Sequence, residues 1–198
     1  MKTIVFSFFV STLDNAGGRG RWEKWRPNVA LCQHDDVIID KLVLFYNAQY
    51  QSLLEQVMRD IASISPETVI EPHLMPLANP WDFQEVYGAL YEFARTYPFQ
   101  VDTHDYLVHI TTGTHVAQIC LFLLTETQYF PAKLLQSPPP RKQQRGIAGT
   151  IDIIDLDLSR YNQLASRFAD ERLETQNHLK SGIATKNTTF NGMIAEIE

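Results

Sequence analysis

Short apolar runs alternate with segments of helical period along this chain, and that alternation constrains the fold more than any other feature. Runs rich in β-branched and aromatic residues predict six buried strands, at residues 3–10, 40–46, 68–75, 106–110, 132–136 and 150–156. Helical spacing of apolar residues predicts helices at 49–63, 83–96, 115–127 and, as a long C-terminal helix, 158–180. We therefore expect an α/β fold with a mostly parallel sheet of about six strands flanked by helices.

The chain length and its last residues predict how the domains are organised. With 198 residues the chain suits roughly one compact domain, and we place it at 1–180. Gly182 is a predicted stop for the long helix. Phe190, Met193 and Ile197 then begin a new amphipathic stripe that breaks off at residue 198. We expect 181–198 to be a linker and the start of a following, truncated domain.

Charge is distributed unevenly along the chain. The formal net charge is −6, which argues against a protein coated uniformly for nucleic acid. Residues 19–26 and 141–145 nevertheless hold seven of the 17 basic residues and a single acid, while the rest of the chain sums to −12. A bound anion would be drawn to these two basic segments. The alternative is that they are two solvated loops.

Cysteine and histidine spacing gives no sign of a metal or disulfide site. Cys32 and Cys120 form no C-x-x-C pair, and the six histidines lack ligand spacing, so no metal or other cofactor is expected. The apolar N-terminal run is too short and lacks the cleavage pattern of a signal peptide. No segment approaches the roughly 20 apolar residues of a membrane span. These features predict a cytosolic protein without a membrane partner.

Two strand-end loops rich in small hydroxyl residues and glycine are the candidate ligand sites. Parallel α/β sheets bind ligands beyond the carboxyl ends of their strands. One such loop, at 11–18, follows the first strand, and another, Thr111, Thr112, Gly113 and Thr114, leads into a helix whose first turn holds His115 and Gln118. Free N–H groups at that helix start would suit a phosphate. Alternatively, Thr114 only caps the helix, Gly113 only turns the chain, and His115 is a surface histidine.

The first basic segment interleaves aromatic and cationic side chains. Trp22 and Trp25 alternate with Arg21, Lys24 and Arg26, a pattern that suits base stacking beside phosphate contacts. The alternative is that the indoles anchor a loop in a core or an interface. His109 lies within the fourth predicted strand, where a hydrogen-bonded core histidine is the expected role.

Several long motifs carry a family resemblance. They are R-W-x-K-W-R-P at 21–27, S-P-E-T at 65–68, N-P-W-D-F-x-E-V-Y at 79–87, D-Y-L-V-H-I-T-T-G-T-H-V-A-Q-I-C at 105–120, S-P-P-P-R-K at 137–142, I-I-D-L-D-L-S-R-Y-N at 153–162 and L-K-S-G-I-A-T-K-N at 179–187. With these motifs the chain resembles the N-terminal sensor domains of the RtcR family, sigma-54-dependent activators of a bacterial RNA-repair operon. The loop at 110–115 also resembles the ligand loop of CARF domains (CRISPR-associated Rossmann fold).

The resemblance implies a regulatory role rather than an enzyme. In this family the CARF-type sensor precedes an AAA+ ATPase and a helix-turn-helix domain, and it restrains the ATPase until a ligand arrives. The implied ligand is a small RNA end, with a 2′,3′-cyclic phosphate, or a cyclic oligoadenylate, bound by a homodimer. Two alternatives stay open, a ring nuclease that slowly cleaves cyclic oligoadenylate and a dimerisation domain without ligand.

The resemblance also implies ligand contacts at particular positions. The loop residues in question are Ser11, Thr12, Asp14 and 111–115. Many CARF domains have Lys or Arg where this chain has His115. We expect the missing positive charge to come from the two basic segments, through Arg21, Lys24, Arg26, Arg141 and Lys142.

Overall fold

The computed structural model describes residues 1–14, 18–34, 36–140 and 148–154. Its strands are β1 (Lys2–Phe8), β2 (Lys41–Tyr46), β3 (Val69–Leu74), β4 (His104–His109), β5 (Lys133–Gln136) and β6 (Asp152–Ile154). Its α-helices are α1 (Pro27–Leu31), α2 (Gln51–Ile64), α3 (Phe83–Thr96) and α4 (His115–Glu126), with 3₁₀ turns at Arg19–Glu23 and Ala48–Tyr50. The predicted helix at 158–180, the basic segment at 141–145 and the tail at 181–198 lie outside the described residues.

The six strands form one sheet in the order β3-β2-β1-β4-β5-β6. The first five strands are parallel, and β6 pairs antiparallel with β5. The predicted mostly parallel α/β sheet is confirmed. The chain winds outward from β1 in both directions, toward β3 and toward β5. The strand order therefore reverses between β1 and β4, where a parallel sheet opens a crevice at its carboxyl edge.

Each face of the sheet has its own apolar layer, because successive side chains of a strand point to opposite faces. Phe6 points toward α3 and α4, where its ring packs against Phe93 and Phe130. Its neighbour Val5 points to the other face, toward α1 and α2. Burial on both faces explains why the central strands are near-continuous apolar runs.

Two local differences from the predictions have a clear cause. The strand β1 ends at Phe8, two residues early, because the Asp14 carboxylate accepts a hydrogen bond from the Val10 N–H at 3.1 Å. The helix α1 is absent from the helices that the sequence pattern predicts, because its five residues are too few to show helical spacing. Pro27 occupies the start of α1, where proline is tolerated because its missing N–H would have no helical partner. Within the described residues, no helix is long and apolar enough to cross a membrane.

Candidate functional site

A groove of about 540 Å³ opens at the carboxyl edge of the sheet, beside the crevice between β1 and β4. Its walls are mainly aromatic and apolar, with neutral polar groups at the rim. Among the residues that line it are Phe9, Tyr50, Met75, Trp81 and His115. His115 is the one basic side chain among the described residues of this lining. The groove thus offers flat apolar surfaces and the positive N-terminal end of α4 rather than a cluster of cations.

The start of α4 is fixed by two interactions within the protein. Thr114 caps the helix, accepting a hydrogen bond from the Ala117 N–H at 3.1 Å and donating one to the Pro80 carbonyl at 2.8 Å. Gly113 adopts φ +84°, and a Cβ there would lie 3.1 Å from Ala117 and 3.2 Å from Phe8. Only glycine fits this close approach without strain. Both residues line the groove, so the expected capping and turn roles coexist with ligand access.

The other two threonines of this loop serve the fold. Thr112 is fully buried, and its hydroxyl accepts a hydrogen bond from the Phe8 N–H at 3.1 Å and donates one to the His109 carbonyl. The Thr111 hydroxyl accepts a hydrogen bond from the Ser137 N–H at 2.7 Å. A ligand contact at Thr112 stays a prediction, which the burial of its hydroxyl and its internal hydrogen bonds disfavour. Gln118 donates to the Gly113 carbonyl at 3.5 Å and is not among the described residues that line the groove.

The first strand-end loop also divides between groove and interior. Ser11 and Thr12 line the groove, where the predicted ligand contacts would be made. Asp14 is 1% exposed, and its carboxylate accepts hydrogen bonds from the Val10 N–H and from the Asn28 backbone and side chain. Burial raises the pKa of Asp14 to about 6. A ligand contact at Asp14 also stays a prediction, which its burial and internal hydrogen bonds disfavour.

The first basic segment lies apart from the groove lining. Arg21 and Arg26 converge on Asp60 of α2, at 3.1 Å and 2.6 Å, and the Arg26 side chain is 2% exposed. Burial lowers the pKa of Arg26, and the Asp60 charge opposes that shift. The expected anion-attracting role of Arg26 stays a prediction, which its burial and its pairing with the buried Asp60 disfavour. Lys24 is exposed, while Arg141 and Lys142 lie outside the described residues.

The two tryptophans of this segment have different surroundings. The Trp22 ring is 42% exposed and lies 5.4 Å and 5.6 Å from the guanidinium carbons of Arg21 and Arg26. Trp25 is half-buried, and its buried Nε1 has no hydrogen-bond partner within the part of the chain that the structure describes. Base stacking at either indole stays a prediction, but neither belongs to the groove lining.

His109 is a hydrogen-bonded core residue, as predicted. Its ring is fully buried, with Nδ1 3.0 Å from the Ser7 hydroxyl and Nε2 2.6 Å from the Ser137 hydroxyl. Burial lowers the pKa of His109 from 6.5 to about 3, so the imidazole is neutral at neutral pH.

We expect this buried histidine to make stability depend on pH. In the unfolded chain His109 takes up a proton near pH 6.5, whereas the folded protein resists it until about pH 3. Its stabilising contribution is thus complete above about pH 6.5 and is lost as the pH falls, at about 1.4 kcal/mol per unit. Urea unfolding of wild type and His109→Asn at about pH 7 and pH 4.5 checks this. The difference in free energy of unfolding between wild type and His109→Asn should shrink by about 2–3 kcal/mol between these two pH values. An unchanged difference contradicts the prediction.

The sequence did not reveal most of the groove wall. Tyr50 comes from the turn after β2, and Pro80 and Trp81 come from the turn after β3. Only the strand order brings these turns beside the β1 and β4 loops. The one available signal was Trp81 itself, a large apolar side chain in a polar turn, which is 62% exposed.

Comparison with known proteins gives consistent results. The family model described as "RtcR: Regulator of RNA terminal phosphate cyclase" matches residues 1–182. The chain is 58% identical over 200 residues to the transcriptional regulatory protein RtcR of Escherichia coli strain K12. That alignment includes all of this chain and 37% of the relative, so the chain spans little more than a third of the relative's length.

A solved structure shares the fold. Enterococcus italicus Csm6, bound to cyclic hexa-2′-fluoro-hexa-dAMP, aligns with a TM-score of 0.53 at 20% identity. The alignment covers 75% of this chain and 35% of Csm6. This likeness supports the predicted α/β fold with its mostly parallel sheet.

Proposed function

Because this chain belongs to the RtcR family, regulators of RNA terminal phosphate cyclase, we propose that it is the ligand-sensing region of a sigma-54-dependent activator of RNA repair. Its ligand is a short RNA end with a 2′,3′-cyclic phosphate, or a cyclic oligoadenylate, and it binds in the groove. The single observation that carries this assignment is the position of the groove, at the carboxyl edge where the strand order reverses.

The chemistry of the groove supports a nucleotide ligand. Trp81 and Tyr50 present aromatic faces on which bases stack, whatever their sequence. The N-terminal end of α4, with the exposed side chain of His115, favours the phosphate. The volume of about 540 Å³ lies within the range of small-molecule sites. Csm6, which shares this fold, was solved with a cyclic oligonucleotide.

Titration with defined ligands tests the proposal. We expect saturable binding of a short RNA ending in 2′,3′-cyclic phosphate, or of a cyclic oligoadenylate, with affinity that falls as salt rises. The matched control is the same RNA with a 3′-hydroxyl end. Absence of saturable binding by both ligands contradicts the proposal. Linear product from cyclic oligoadenylate would identify the ring-nuclease activity instead.

Ligand control of a downstream ATPase is part of the same proposal. A ligand shifts a conformational equilibrium only if it binds one state more tightly than the other. In cells, loss of groove binding should therefore remove induction of the RNA-repair operon without removing the protein.

We further propose that the protein is a homodimer in which α4 lies at the interface. This helix is apolar around much of its circumference, and Ile119 and Phe122 of its outer face are 52% and 41% exposed. Such a helix normally packs on a partner. Phe122→Glu should convert the dimer to a monomer in sedimentation analysis. The matched control is Val101→Glu, at another 52% exposed apolar position. A monomeric wild type contradicts the proposal.

A further inference from the structure

A chain of buried polar side chains crosses the sheet beneath the groove. It runs from Ser137 after β5 through His109 on β4 and Ser7 on β1 to Asn28 of α1 and Asp14. All five side chains are buried, on the face that α1 and α2 cover. We refer to these five residues as the polar relay. Nothing in the proposed ligand contacts requires such a chain, and a core of apolar residues would fill the same space.

The partners of Asn28 and Ser7 fix the direction of each hydrogen bond. The Asn28 amide N–H groups donate to the Phe8 carbonyl at 3.0 Å and to Asp14 at 2.7 Å, so its Oδ1 must accept from Ser7 at 2.5 Å. Ser7 has then used its only proton and must accept from His109 Nδ1–H. A neutral imidazole has one N–H, so Nε2 accepts from the Ser137 hydroxyl. This assignment follows from satisfying every group.

The polar relay is attached to the groove loops at both ends. Because the Ser7 proton goes to Asn28, the Thr112 hydroxyl is the donor to Ser7 at 3.0 Å, and it shares its proton with the His109 carbonyl. This hydrogen bond ties the loop before α4 to the middle of the relay. The Thr111 hydroxyl accepts a hydrogen bond from the Ser137 N–H. Ser137 therefore contacts the loop before α4 through its backbone and contacts His109 through its side chain. Asp14 holds the loop after β1. The two loops that line the groove therefore share one buried network.

Ser137 also marks the point where this network meets the edge of the sheet. It directly follows β5, and β6 pairs with β5 through Leu134–Ile154, Leu135–Ile153 and Gln136–Asp152. A shift of the loop at Thr111 and Thr112 must either move Ser137 or leave a buried polar group without a partner, which is costly.

We propose that His109 is a positioning residue that couples the groove loops to the β5–β6 edge through Ser137. The coupling itself is a property of the ligand-free protein. Its use in signalling rests on the proposed function, since it is the ligand that would move the loops. His109 acts through its neighbours and touches no ligand.

Amide hydrogen exchange on the 198-residue chain tests the coupling. Ser137→Ala removes the hydroxyl that donates to His109 Nε2. In His109→Asn, the asparagine side chain keeps a donor to Ser7 but is too short to reach Ser137. Each should speed exchange of the 112–114 amides about five- to tenfold without ligand, and the double variant should add nothing further. The matched control is Ser65→Ala, a buried serine bonded to Glu67 and Thr68 on another part of the protein. It should leave these amides unchanged.

The same variants then separate coupling from binding. Ligand should slow exchange at 134–137 and 151–154 in wild type, and Ser137→Ala should lose that response while its Kd stays within about twofold. The coupling is overturned if the exchange rates of the 112–114 amides are unchanged in both Ser137→Ala and His109→Asn. It is also overturned if Ser65→Ala speeds exchange of these amides as much as the two variants do. A retained ligand response at the β5–β6 edge overturns its use in signalling. If wild type binds neither ligand, the proposed function fails, while ligand-free exchange still decides the coupling.

Discussion

Replacing Asp60 with alanine should lower the free energy of unfolding by about 3–5 kcal/mol. Asp60 is 3% exposed and accepts hydrogen bonds from Arg26, Arg21 and Gln56. Without it, the buried Arg26 guanidinium would keep its charge and lose its counterion, while its Nε and Nη2 already have no hydrogen-bond partner among the described residues. An uncompensated buried charge is far more costly than a lost surface pair.

Urea unfolding monitored by circular dichroism measures this effect. The control is Glu92→Ala, which breaks an exposed pair with Arg95, and its cost should be about 0–1 kcal/mol. Combining Asp60→Leu with Arg26→Met removes both charges and should recover most of the loss. If Asp60→Ala costs no more than Glu92→Ala, Arg26 does not depend on Asp60, and the ion pair contributes little.

Replacing Trp81 with alanine should weaken ligand binding roughly tenfold to a hundredfold, because a base stacked on an aromatic side chain contributes about 1–3 kcal/mol. The indole is 62% exposed at the groove, so its removal should leave the free energy of unfolding within about 0.5 kcal/mol. Calorimetric titration measures the affinity, and urea unfolding confirms the stability.

The control, Trp22→Ala, makes the same change outside the groove. Trp22 lies between two arginines of the first basic segment and should leave affinity unchanged. A loss of binding in Trp22→Ala, with none in Trp81→Ala, would place the ligand over the basic segment and overturn the groove assignment.

The sequence predicts the sheet well because its signal is local. An apolar run such as the one around Val5 and Phe6 indicates by its composition alone that the strand is buried. The helical spacing likewise predicts α3 with the bounds Phe83–Thr96 that the structure has. The site is harder to predict because its residues meet only after folding. Arg26 is 34 positions from Asp60, so charge pattern alone presents it as a free cation.

The loop before α4 shows the same limit at smaller scale. Thr111, Thr112 and Thr114 are equivalent in the sequence pattern, yet their hydroxyls do different things. Thr111 accepts a hydrogen bond from Ser137, the buried Thr112 accepts one from the Phe8 N–H, and Thr114 caps α4. The distinction depends on the neighbouring strands β1 and β5. Sequence could therefore locate the loop but could not separate the residues that face a ligand from those that hold the loop.

The backbone geometry around Gly113 has a kinetic consequence. Gly113 adopts φ +84° at a place where Phe8 and Ala117 leave no room for a Cβ, and Thr114 joins the same loop to Pro80, all without a ligand. A wall that is already ordered loses little conformational entropy when it is occupied. The loop is ordered before the ligand arrives, so any shift that the ligand causes follows the encounter, and related ligands should associate at similar rates. Differences in their affinity should arise mainly from residence time.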